Sequence, residues 1–483
     1  MIPPMGFPVI SVAQMREWEA AAWAAGRRVE DVIQLAGLRV AAHARALTAS
    51  GETILVLAGK GNNGADGRAA LPHLADRLVT CLDVVDPAAN QTRLGECLAR
   101  HPHLIIDALF GIGLDRPLSP EWIAIVNQVN AAGVPTLAVD VPSGLDANSG
   151  EPRGAAVAAT TTLAIGTPKQ GLLQEAAWPY VGRLEVASDV GLGEAPRADL
   201  VCTEPSDFHG FPPRRSVAAH KGTCGHLAII AGSTGYHGAA VLAAKGAQRA
   251  RPGLITLHTL EAVYHPIAAQ LQSVMVAPWL PTTKLPTTST AVLLGPGLAA
   301  AETPDQMKLL ARNLWRDSAL PLIVDASALD WLPLDPVVRN AIRVLTPHPG
   351  EAARLLRSSV AQVQADRLTA AREISRRFGG AWVVLKGHQT VIARASGAAF
   401  VNLSGNPYLA QGGSGDVLSG YLAGWLAQPG ARADVAKLLC HGVWQHGAAA
   451  DSLARHSSNW TVEELAAALG NQPAWPSRPV TNQ

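Results

Sequence analysis

Residues 53–67, TILVLAGKGNNGADG, join an apolar run to a glycine-rich turn and decide the fold of the first half of the chain. Gly59, Gly61 and Gly64 have the spacing G-x-G-x-x-G, which is typical of the turn after the first strand of a dinucleotide-binding sheet, although the motif alone is a weak indication. Further apolar runs follow at 78–85, 103–109, 135–141 and 161–166. Strands that alternate with helical or loop segments predict an α/β domain with a mostly parallel sheet.

The second half of the chain repeats this alternation without repeating the motif. From about residue 187 to 219 the sequence is rich in Pro, Gly and charged residues, which is typical of a linker. Apolar runs then resume at 226 and continue to WVVLKGHQTVIA at 382–393. The 483 residues are too many for one ordinary core. The predicted division is an N-terminal domain at 1–190, a linker at 191–219 and a C-terminal domain at 220–472.

Composition restricts the class of protein. The chain is 48% hydrophobic and 16% charged with a net charge of +1, so it is globular and its bulk charge indicates neither nucleic acid nor an anionic membrane as a partner. No run of about 18 apolar residues occurs, and no secretory signal is visible. Five scattered cysteines without a C-x-x-C pair favour a reducing, cytoplasmic location. We expect a soluble homo-oligomer whose other partners are small molecules.

Polar side chains follow several predicted strands of the N-terminal domain. In chain order they are Asn62, Asn63, Asp66, Asp107, Asp140, Ser143 and Lys169. Because the carboxyl ends of parallel strands share one edge of a sheet, these groups should converge on one crevice. For any one of the Asp or Asn residues alone, a helix cap or an Asx turn is the simpler explanation.

Two kinds of ligand fit this crevice. An NAD site also requires an acidic residue about 20 positions after the turn, for which Asp83 or Asp86 qualifies. That interpretation does not account for the paired asparagines or for the carboxylates after later strands. Amide, carboxylate and hydroxyl oxygens suit a hard cation rather than zinc.

The ordered motifs GKGNNGADG, DALFGIGL, DVPSGLD and TPKQGLL resemble those of the NAD(P)H-hydrate epimerase domain, over residues 11–190. The resemblance implies a Rossmann-like three-layer sandwich that inverts C6 of the hydrated nicotinamide ring, with Asp140 as the acid–base group and Lys169 assisting. It implies a potassium ion held by Asn63, Asp107 and Ser143. The implied substrate contacts are Asn62, Asn63, Gly64, Ala65, Asp66, Gly111, Ile112, Gly113, Leu114, Asp115, Arg116, Pro117 and Asp140. Ala65 stands where the family usually has glycine, and it requires an ordinary φ.

The strongest motif of the C-terminal half is QGGSGDVLSG at 411–420. Its glycines let backbone N–H groups approach an anion at the start of a helix, and Asp416 lies where it can accept a proton from a hydroxyl beside a bound phosphate. An acid that complements the helix dipole explains Asp416 alone equally well. For His348 alone, packing or capping is the simpler explanation. No G-x-x-x-x-G-K-[ST] motif occurs, which argues against P-loop chemistry.

The ordered motifs GHLAIIAGS, YHGAAVLAAKGA, LLGPGL, TPHPGEAARLL, LKGHQTVI and GGSGDVLSG resemble the ADP-dependent NAD(P)H-hydrate dehydratase of the ribokinase-like group, over residues 220–470. The resemblance implies Mg²⁺ bridging phosphates and Asp416 as the base. The implied substrate contacts are Ala239, Gly297, His348 and Asp416. The implied adenine-nucleotide contacts are Lys386, Gly387, His388, Gln389, Thr390 and Gly415. Pro252 departs from the small residue usual in the family.

Together the two resemblances imply an enzyme that repairs hydrated NADH and NADPH. The first domain would interconvert the R and S hydrates, and the second would dehydrate the S hydrate with ADP, releasing AMP and phosphate. The use of ADP rather than ATP rests on resemblance alone. One alternative is a kinase of a small alcohol fused to a non-catalytic nucleotide-binding module. A nicotinamide-dependent dehydrogenase ranks last.

Overall fold

The computed structural model describes residues 5–334 and 341–472. They divide into two compact units, one of Phe7–Cys202 and one from Thr203 onwards that includes Met5 and Gly6. Both units are α/β with largely parallel sheets, as the sequence predicts. The domain limits at 190 and 220 stay a prediction, and the segment expected as a linker contains a strand, Leu200–Thr203. No helix within the described ranges has the length and apolar character needed to cross a bilayer.

The first unit is built on one parallel sheet. The strands of this sheet are β2 (Thr53–Ala58), β3 (Leu78–Asp83), β4 (Leu104–Ala108), β5 (Thr136–Val139), β6 (Thr161–Ile165) and β7 (Arg183–Ala187). Two short strands outside it, β1 (Phe7–Pro8) and β8 (Leu200–Thr203), pair antiparallel with each other. The helices of this unit are α1 (Val12–Ala24), α2 (Val29–Leu47), α3 (Asn62–Ala69), α4 (Pro87–Leu98), α5 (Pro120–Ala131) and α6 (Trp178–Val181). The sheet has the order β3-β2-β4-β5-β6-β7, so the strand order reverses between β2 and β4. Such a switch point is where open α/β sheets bind ligands.

Successive side chains of β2 pack into two different buried clusters, which explains the three layers of this unit. Ile54 and Val56 belong to a buried cluster that also contains Val40 of α2. Leu55 and Leu57 belong to a second cluster with residues of α4 and α5. Since successive side chains of a strand point to opposite faces, helices cover both faces of the sheet and produce three layers. Ser11 begins α1 with a capping box, in which its side chain and that of Gln14 satisfy backbone N–H groups of the first turn.

The second unit has a longer sheet. Its strands are β9 (His226–Ile230), β10 (Leu254–Thr259), β11 (Met275–Pro278), β12 (Ala291–Leu294), β13 (Leu322–Val324), β14 (Arg343–Leu345), β15 (Trp382–Leu385), β16 (Val391–Ala393) and β17 (Ala399–Asn402). Its helices are α7 (His237–Ala250), α8 (Tyr264–Ala268), α9 (Asp305–Asp317), α10 (Pro349–Leu356), α11 (Val360–Ala365), α12 (Arg367–Arg377), α13 (Ser414–Leu426), α14 (Val435–His456) and α15 (Val462–Ala468). The strand order is β17-β16-β15-β14-β13-β12-β9-β10-β11, which reverses between β9 and β12.

Two local features of the second unit concern the apolar run at 382–393 and the turn at Pro252. The run at 382–393 is not one strand, because β15 and β16 pair antiparallel and the KGHQT segment forms the turn between them. Pro252 lies between α7 and β10, directly after Arg251, which ends α7 with a φ of 61°. The departure from the family pattern therefore falls in a helix-to-strand turn.

Two pairs of histidines, each close together in the sequence, differ in their surroundings. His101 and His103 are exposed. His441 and His446 lie on the helix α14, and both are buried. Burial lowers the pKa of His446 to about 4, and its Nε2 lies 3.0 Å from the carbonyl oxygen of Ser414. These two residues are therefore neutral core histidines.

Candidate active sites

Asp140 and Lys169 form an ion pair at the carboxyl edge of the first sheet. Asp140 follows β5 and has a φ of 67°, which is uncommon for a residue other than glycine. Lys169 Nζ donates to Asp140 Oδ1 and, at 2.7 Å, to the carbonyl oxygen of Ile165. The backbone N–H of Ile165 donates to the same Asp140 oxygen at 3.1 Å. These bonds fix the carboxylate in place beside a buried ammonium group.

Two more carboxyl groups face this pair. Burial raises the pKa of Asp66, on α3, to about 8, and the nearby charge of Asp140 contributes to the rise. Asp66 is therefore protonated at neutral pH. Burial also raises the pKa of Glu19, which interacts electrostatically with Lys169 and Asp140. The sequence analysis missed Glu19, because it lies on α1 far ahead of the strand-end motifs.

The three predicted potassium ligands lie together near Phe110. Ser143 donates to the Asp107 carboxylate from Oγ at 2.6 Å and from its backbone N–H at 2.8 Å. Burial raises the pKa of Asp107 to about 6, because it outweighs the hydrogen bonds from Ser143, which lower the pKa. Asn63 Nδ2 donates to the Phe110 carbonyl oxygen at 2.8 Å, while Asn63 Oδ1 is buried without a hydrogen-bond partner. Asp107 itself lies within β4 rather than after it.

The remaining predicted epimerase residues form two groups. The first group is on α3, where Gly64 packs so tightly that a Cβ there would lie 2.0 Å from the Gly59 carbonyl oxygen. Ala65 has an ordinary helical φ in this helix, as expected. The second group is the loop at 111–117. Gly111 faces the site, since a Cβ there would lie 3.3 Å from Asp140 Oδ2 and 3.4 Å from Asn63 Cγ. The exposed members of the loop are Gly113, Asp115, Arg116 and Pro117.

A second lysine–carboxylate pair occupies the carboxyl edge of the sheet in the second unit. Lys386 Nζ donates to Asp325 Oδ1 at 2.7 Å. Burial alone lowers the pKa of Lys386, but the surrounding carboxylates, Asp325 first among them, outweigh burial and raise it. Sequence reasoning missed Asp325. Its signal was available, since it directly follows β13 as the other strand-end acids follow theirs.

Asp416 lies in the first turn of α13 beside this pair. Burial raises its pKa to about 7, with Asp325 and Glu351 adding to the rise and Lys386 opposing it. A Cβ on Gly415 would lie 3.2 Å from Lys386 Nζ, so the start of α13 is against the lysine. The carboxyl group is therefore poised between its protonated and ionised forms near neutral pH.

His348 caps a helix in this unit. Its Nδ1 accepts from the backbone N–H of Gly350 at 3.0 Å, and the backbone N–H of His348 donates to Glu351 Oε2 at 2.7 Å. The capping explanation is therefore confirmed, and contact with substrate stays a prediction. The His348 side chain is 54% exposed, and its Nε2 lies 3.6 Å from Glu351 Oε1.

Gly297 and Ala239 are adjacent at the switch point between β9 and β12. Gly297 has a φ of 65°, and a Cβ there would lie 2.9 Å from Ala239 Cβ. Ser233 Oγ donates to the Gly297 carbonyl oxygen at 2.7 Å and fixes the turn. Two predicted dehydratase residues are thus brought together at the position where this sheet would admit a ligand.

The KGHQT turn presents a buried acceptor. Gln389 has a φ of 52°, and its Oε1 is buried without a hydrogen-bond partner. Thr390 Oγ1 donates to the Gly387 carbonyl oxygen at 3.1 Å. Arg367, which the sequence analysis did not single out, donates from one guanidinium nitrogen to the carbonyl oxygens of Leu385 and Lys386. An unpaired amide oxygen in a rigid turn suits the amino group of a ligand.

Two family models match the chain. The model described as NAD(P)H-hydrate dehydratase matches residues 227–470. The model described as YjeF-related protein N-terminus matches residues 29–90 and 75–171. Each match falls within one compact unit.

Similar proteins cover nearly the whole chain. The bifunctional NAD(P)H-hydrate repair enzyme Nnr of Gloeobacter violaceus is 36% identical, over 96% of this chain and 97% of its own length. The enzyme of that name from Coxiella burnetii is 36% identical, over 91% and 94%.

Among solved structures, the ADP/ATP-dependent NAD(P)H-hydrate dehydratase of Bacillus subtilis, co-crystallised with ATP/Mg²⁺, is 31% identical with a TM-score of 0.50, over 55% of this chain and 95% of that one. A ribokinase-like superfamily protein of Enterococcus faecalis, 24% identical with a TM-score of 0.50 over 58% of this chain and 96% of that one, shares the fold. The ribokinase-like fold predicted for the second unit is confirmed. The chain belongs to the family of bifunctional NAD(P)H-hydrate repair enzymes.

Proposed function

We propose that this chain repairs hydrated NADH and NADPH at two separate sites. The domain at 1–190 interconverts the R and S hydrates, and the domain at 220–472 dehydrates the S hydrate with ADP, releasing AMP and phosphate. The observation that carries this proposal is that each compact unit has its own lysine–carboxylate cluster at the carboxyl edge of its own sheet. Family membership favours dehydration over a small-alcohol kinase, and the intact Asp140–Lys169 pair favours a catalytic first unit over a binding module.

In the first site, Asp140 is the proposed acid–base group. Inversion at C6 requires a bond to that carbon to break and re-form, with a proton moved on and off the departing atom. Asp140 Oδ2 faces the 111–117 loop while Oδ1 is held by Lys169, so one oxygen is positioned and the other is directed towards the ligand. Asp66, protonated at neutral pH, donates a hydrogen bond to the substrate.

The oxygens near Phe110 fit a potassium ion. Asn63 Oδ1 is a buried acceptor without a partner, and the buried Asp107 carboxylate supplies a negative charge near Phe110, to which Asn63 also bonds. With Ser143 Oγ they form a set of hard oxygen donors. The ion would supply positive charge beside the loop that holds the hydrated ring.

In the second site, the chain converts a poor leaving group into a good one. Asp416 accepts the proton of the C6 hydroxyl as that oxygen attacks the β-phosphorus of ADP, and the bond from this phosphorus to AMP breaks. Phosphate then departs from C6 as the lone pair of the ring nitrogen forms a C6=N1 double bond. Loss of the C5 proton to phosphate or water then forms the C5=C6 double bond and restores the neutral dihydronicotinamide. Lys386 stabilises charge on the phosphoryl group, and Asp325 holds the lysine in position.

Magnesium fits this site as a nucleotide complex. The carboxyl groups of Asp325, Glu351 and Asp416 outnumber the one nearby lysine, so the cluster favours a cation. Within residues 5–334 and 341–472, however, no group of three or more His, Cys, Asp or Glu side chains is arranged to hold a metal ion. Mg²⁺ would be bound mainly through the phosphates of the nucleotide and would neutralise part of their charge. The co-crystallisation of the Bacillus subtilis relative with ATP/Mg²⁺ supports Mg²⁺ together with a nucleotide.

The nucleotide contacts are proposed for the turn after β15 and the start of α13. Gln389 Oε1 accepts from the adenine amino group, while Lys386 and the backbone of Gly415 face the phosphates. Gly387, His388 and Thr390 complete the turn. Gly297 and Ala239 bind the hydrate at the switch point, together with His348.

We also propose a reducing, cytoplasmic location with small molecules as partners. All five cysteines lie within the described residues, and each is free of disulfide bonds. Cys202 and Cys440 are buried, and burial raises the pKa of both thiols. The homo-oligomer stays a prediction.

Dehydration is expected to depend on pH through Asp416. Because its pKa is raised to about 7, Asp416 is protonated below that pH and cannot accept the hydroxyl proton. The kcat/KM for dehydration of the S hydrate should therefore fall about tenfold per pH unit below about pH 7. Lys386→Met removes a charge that lowers this pKa, so the midpoint should move to higher pH in the variant. A profile that is flat down to about pH 5 would contradict Asp416 as the base.

Epimerisation is expected to depend on potassium through Asn63. In a titration with KCl against choline chloride, the rate of R to S conversion should rise with K⁺ for the unaltered chain. Asn63→Ala removes the unpaired oxygen, so its K⁺ activation should weaken about tenfold. Asn130→Ala is the matched control, because Asn130 only bonds to the backbone of Ala156 and Ala158. Equal K⁺ dependence in Asn63→Ala and the unaltered chain would rule out this ion site.

A further inference from the structure

Two acids satisfy the spacing of a dinucleotide fingerprint, and only one is available for a ligand. Asp86 caps α4, where its Oδ1 accepts from the backbone N–H groups of Ala88 and Ala89 at 3.0 and 3.4 Å. Asp83 is the last residue of β3, and its side chain is 59% exposed. It pairs in register with Ala58, which directly precedes the glycine turn. Asp83 therefore stands where such sheets place the acid that binds the adenosine ribose.

Arg68 lies beside this acid. Its Nε donates to Asp83 Oδ1 at 2.8 Å, and another guanidinium nitrogen donates to the Gly59 carbonyl oxygen at 2.9 Å. The arginine side chain is 37% exposed. An anion and a cation thus stand together at one end of the glycine turn. The carboxylate suits a ribose 2′-hydroxyl, and the guanidinium suits a 2′-phosphate.

The sheet order determines which end of the dinucleotide reaches this pair. The reacting ring must lie at Asp140 and Lys169, which follow β5 and β6. A pyrophosphate is favoured at the N-terminus of α3, which follows β2. Continuing across the edge in the order β5-β4-β2-β3 brings the adenosine to β3. Three strand spacings, about 14 Å, separate β5 from β3, and a dinucleotide is long enough to cross them.

We propose that Asp83 and Arg68 are specificity-determining residues of the first site. Asp83 accepts a hydrogen bond from the 2′-hydroxyl of hydrated NADH, and Arg68 donates to the 2′-phosphate of hydrated NADPH. The ion pair is solvent-exposed, so opening it for the phosphate costs little. One pair then serves both substrates. The inference rests on the proposed epimerisation.

The test measures epimerisation alone, without ADP or ATP, so that the second site cannot consume the S hydrate. Rates of R to S conversion are followed by chromatography for both hydrates. Arg68→Gln should raise the KM for hydrated NADPH about tenfold and change that for hydrated NADH little. Asp83→Asn should raise the KM for hydrated NADH several-fold (~3–10) without raising that for hydrated NADPH.

Arg39→Gln is the matched control, because Arg39 also forms an exposed ion pair, with Asp189 at 2.7 Å, in the same unit. In Arg39→Gln, the ratio of the KM for hydrated NADPH to the KM for hydrated NADH should equal the ratio in the unaltered chain. Equal changes for both hydrates in Arg68→Gln and Asp83→Asn would mean that the pair only supports the turn, and would overturn the inference while leaving epimerisation intact. No epimerisation by the unaltered chain would overturn the proposed function, and the inference with it.

Discussion

Replacing Asp140 with Asn is expected to lower the rate of epimerisation about a thousandfold while dehydration of the S hydrate continues. The asparagine keeps the shape of the side chain but cannot take up and return a proton. Purified R hydrate, incubated without ADP and sampled by chromatography, reports the epimerisation rate. S hydrate with ADP and Mg²⁺ reports the second site in the same preparation, which separates lost chemistry from lost folding.

The controls test whether the effect comes from Lys169, which loses its ion-pair partner in this variant. A buried charge without its partner costs about 3 kcal/mol of folding free energy, so thermal unfolding is measured alongside the rates. The double variant Asp140→Asn/Lys169→Met removes the orphaned charge and should remain inactive. Asp146→Asn alters a buried acid of the same motif that bonds to Asn148, Ser149 and Arg153, so it should lower stability but not the epimerisation rate. Unchanged epimerisation in Asp140→Asn would remove Asp140 from the mechanism.

Replacing Asp416 with Asn is expected to have the converse effect. Without a base for the C6 hydroxyl, ADP-dependent recovery of the dihydronicotinamide absorbance from the S hydrate should fall about a thousandfold. Epimerisation of the R hydrate should be unaffected, because that site lies in the other compact unit.

This substitution also separates catalysis from helix stabilisation. An acid that only complements the helix dipole contributes at most about 1 kcal/mol and has no effect on rate. Asp434→Asn is the matched control, because Asp434 caps α14 by accepting from the backbone N–H of Lys437 at 2.9 Å. It should dehydrate the S hydrate at the unaltered rate. A similarly normal rate in Asp416→Asn would leave Asp416 with a structural role only.

Much of the fold could be predicted from local sequence. The run TILVLA is a strand over the whole predicted length, because its alternate residues enter two different buried clusters. The hairpin of β15 and β16 was missed, since the apolar run at 382–393 is interrupted only by the KGHQT turn. The strand Leu200–Thr203 was also missed, because its partner Phe7–Pro8 lies almost 200 positions earlier in the chain and no local pattern reports that pairing.

Some residues of the two sites could also be predicted from local sequence, and others could not. Asp140 and Lys169 were predictable because a residue after a parallel strand must lie at the shared edge. Glu19 was not, because a carboxylate on an amphipathic helix has the pattern of any solvated residue until the helix is packed. Nor does the sequence indicate that Asp66 is protonated, since that depends on its burial beside Asp140.

Repair of both epimers by one chain can be measured in a single incubation. Purified protein is mixed with the R and S hydrates of NADPH, Mg²⁺, K⁺ and ADP, and the dihydronicotinamide absorbance is followed to completion. Fast recovery of the absorbance for the whole mixture is expected. Recovery that stops at the S fraction would contradict epimerisation by the first unit. No recovery with either ADP or ATP would contradict the proposed repair of hydrated NADPH.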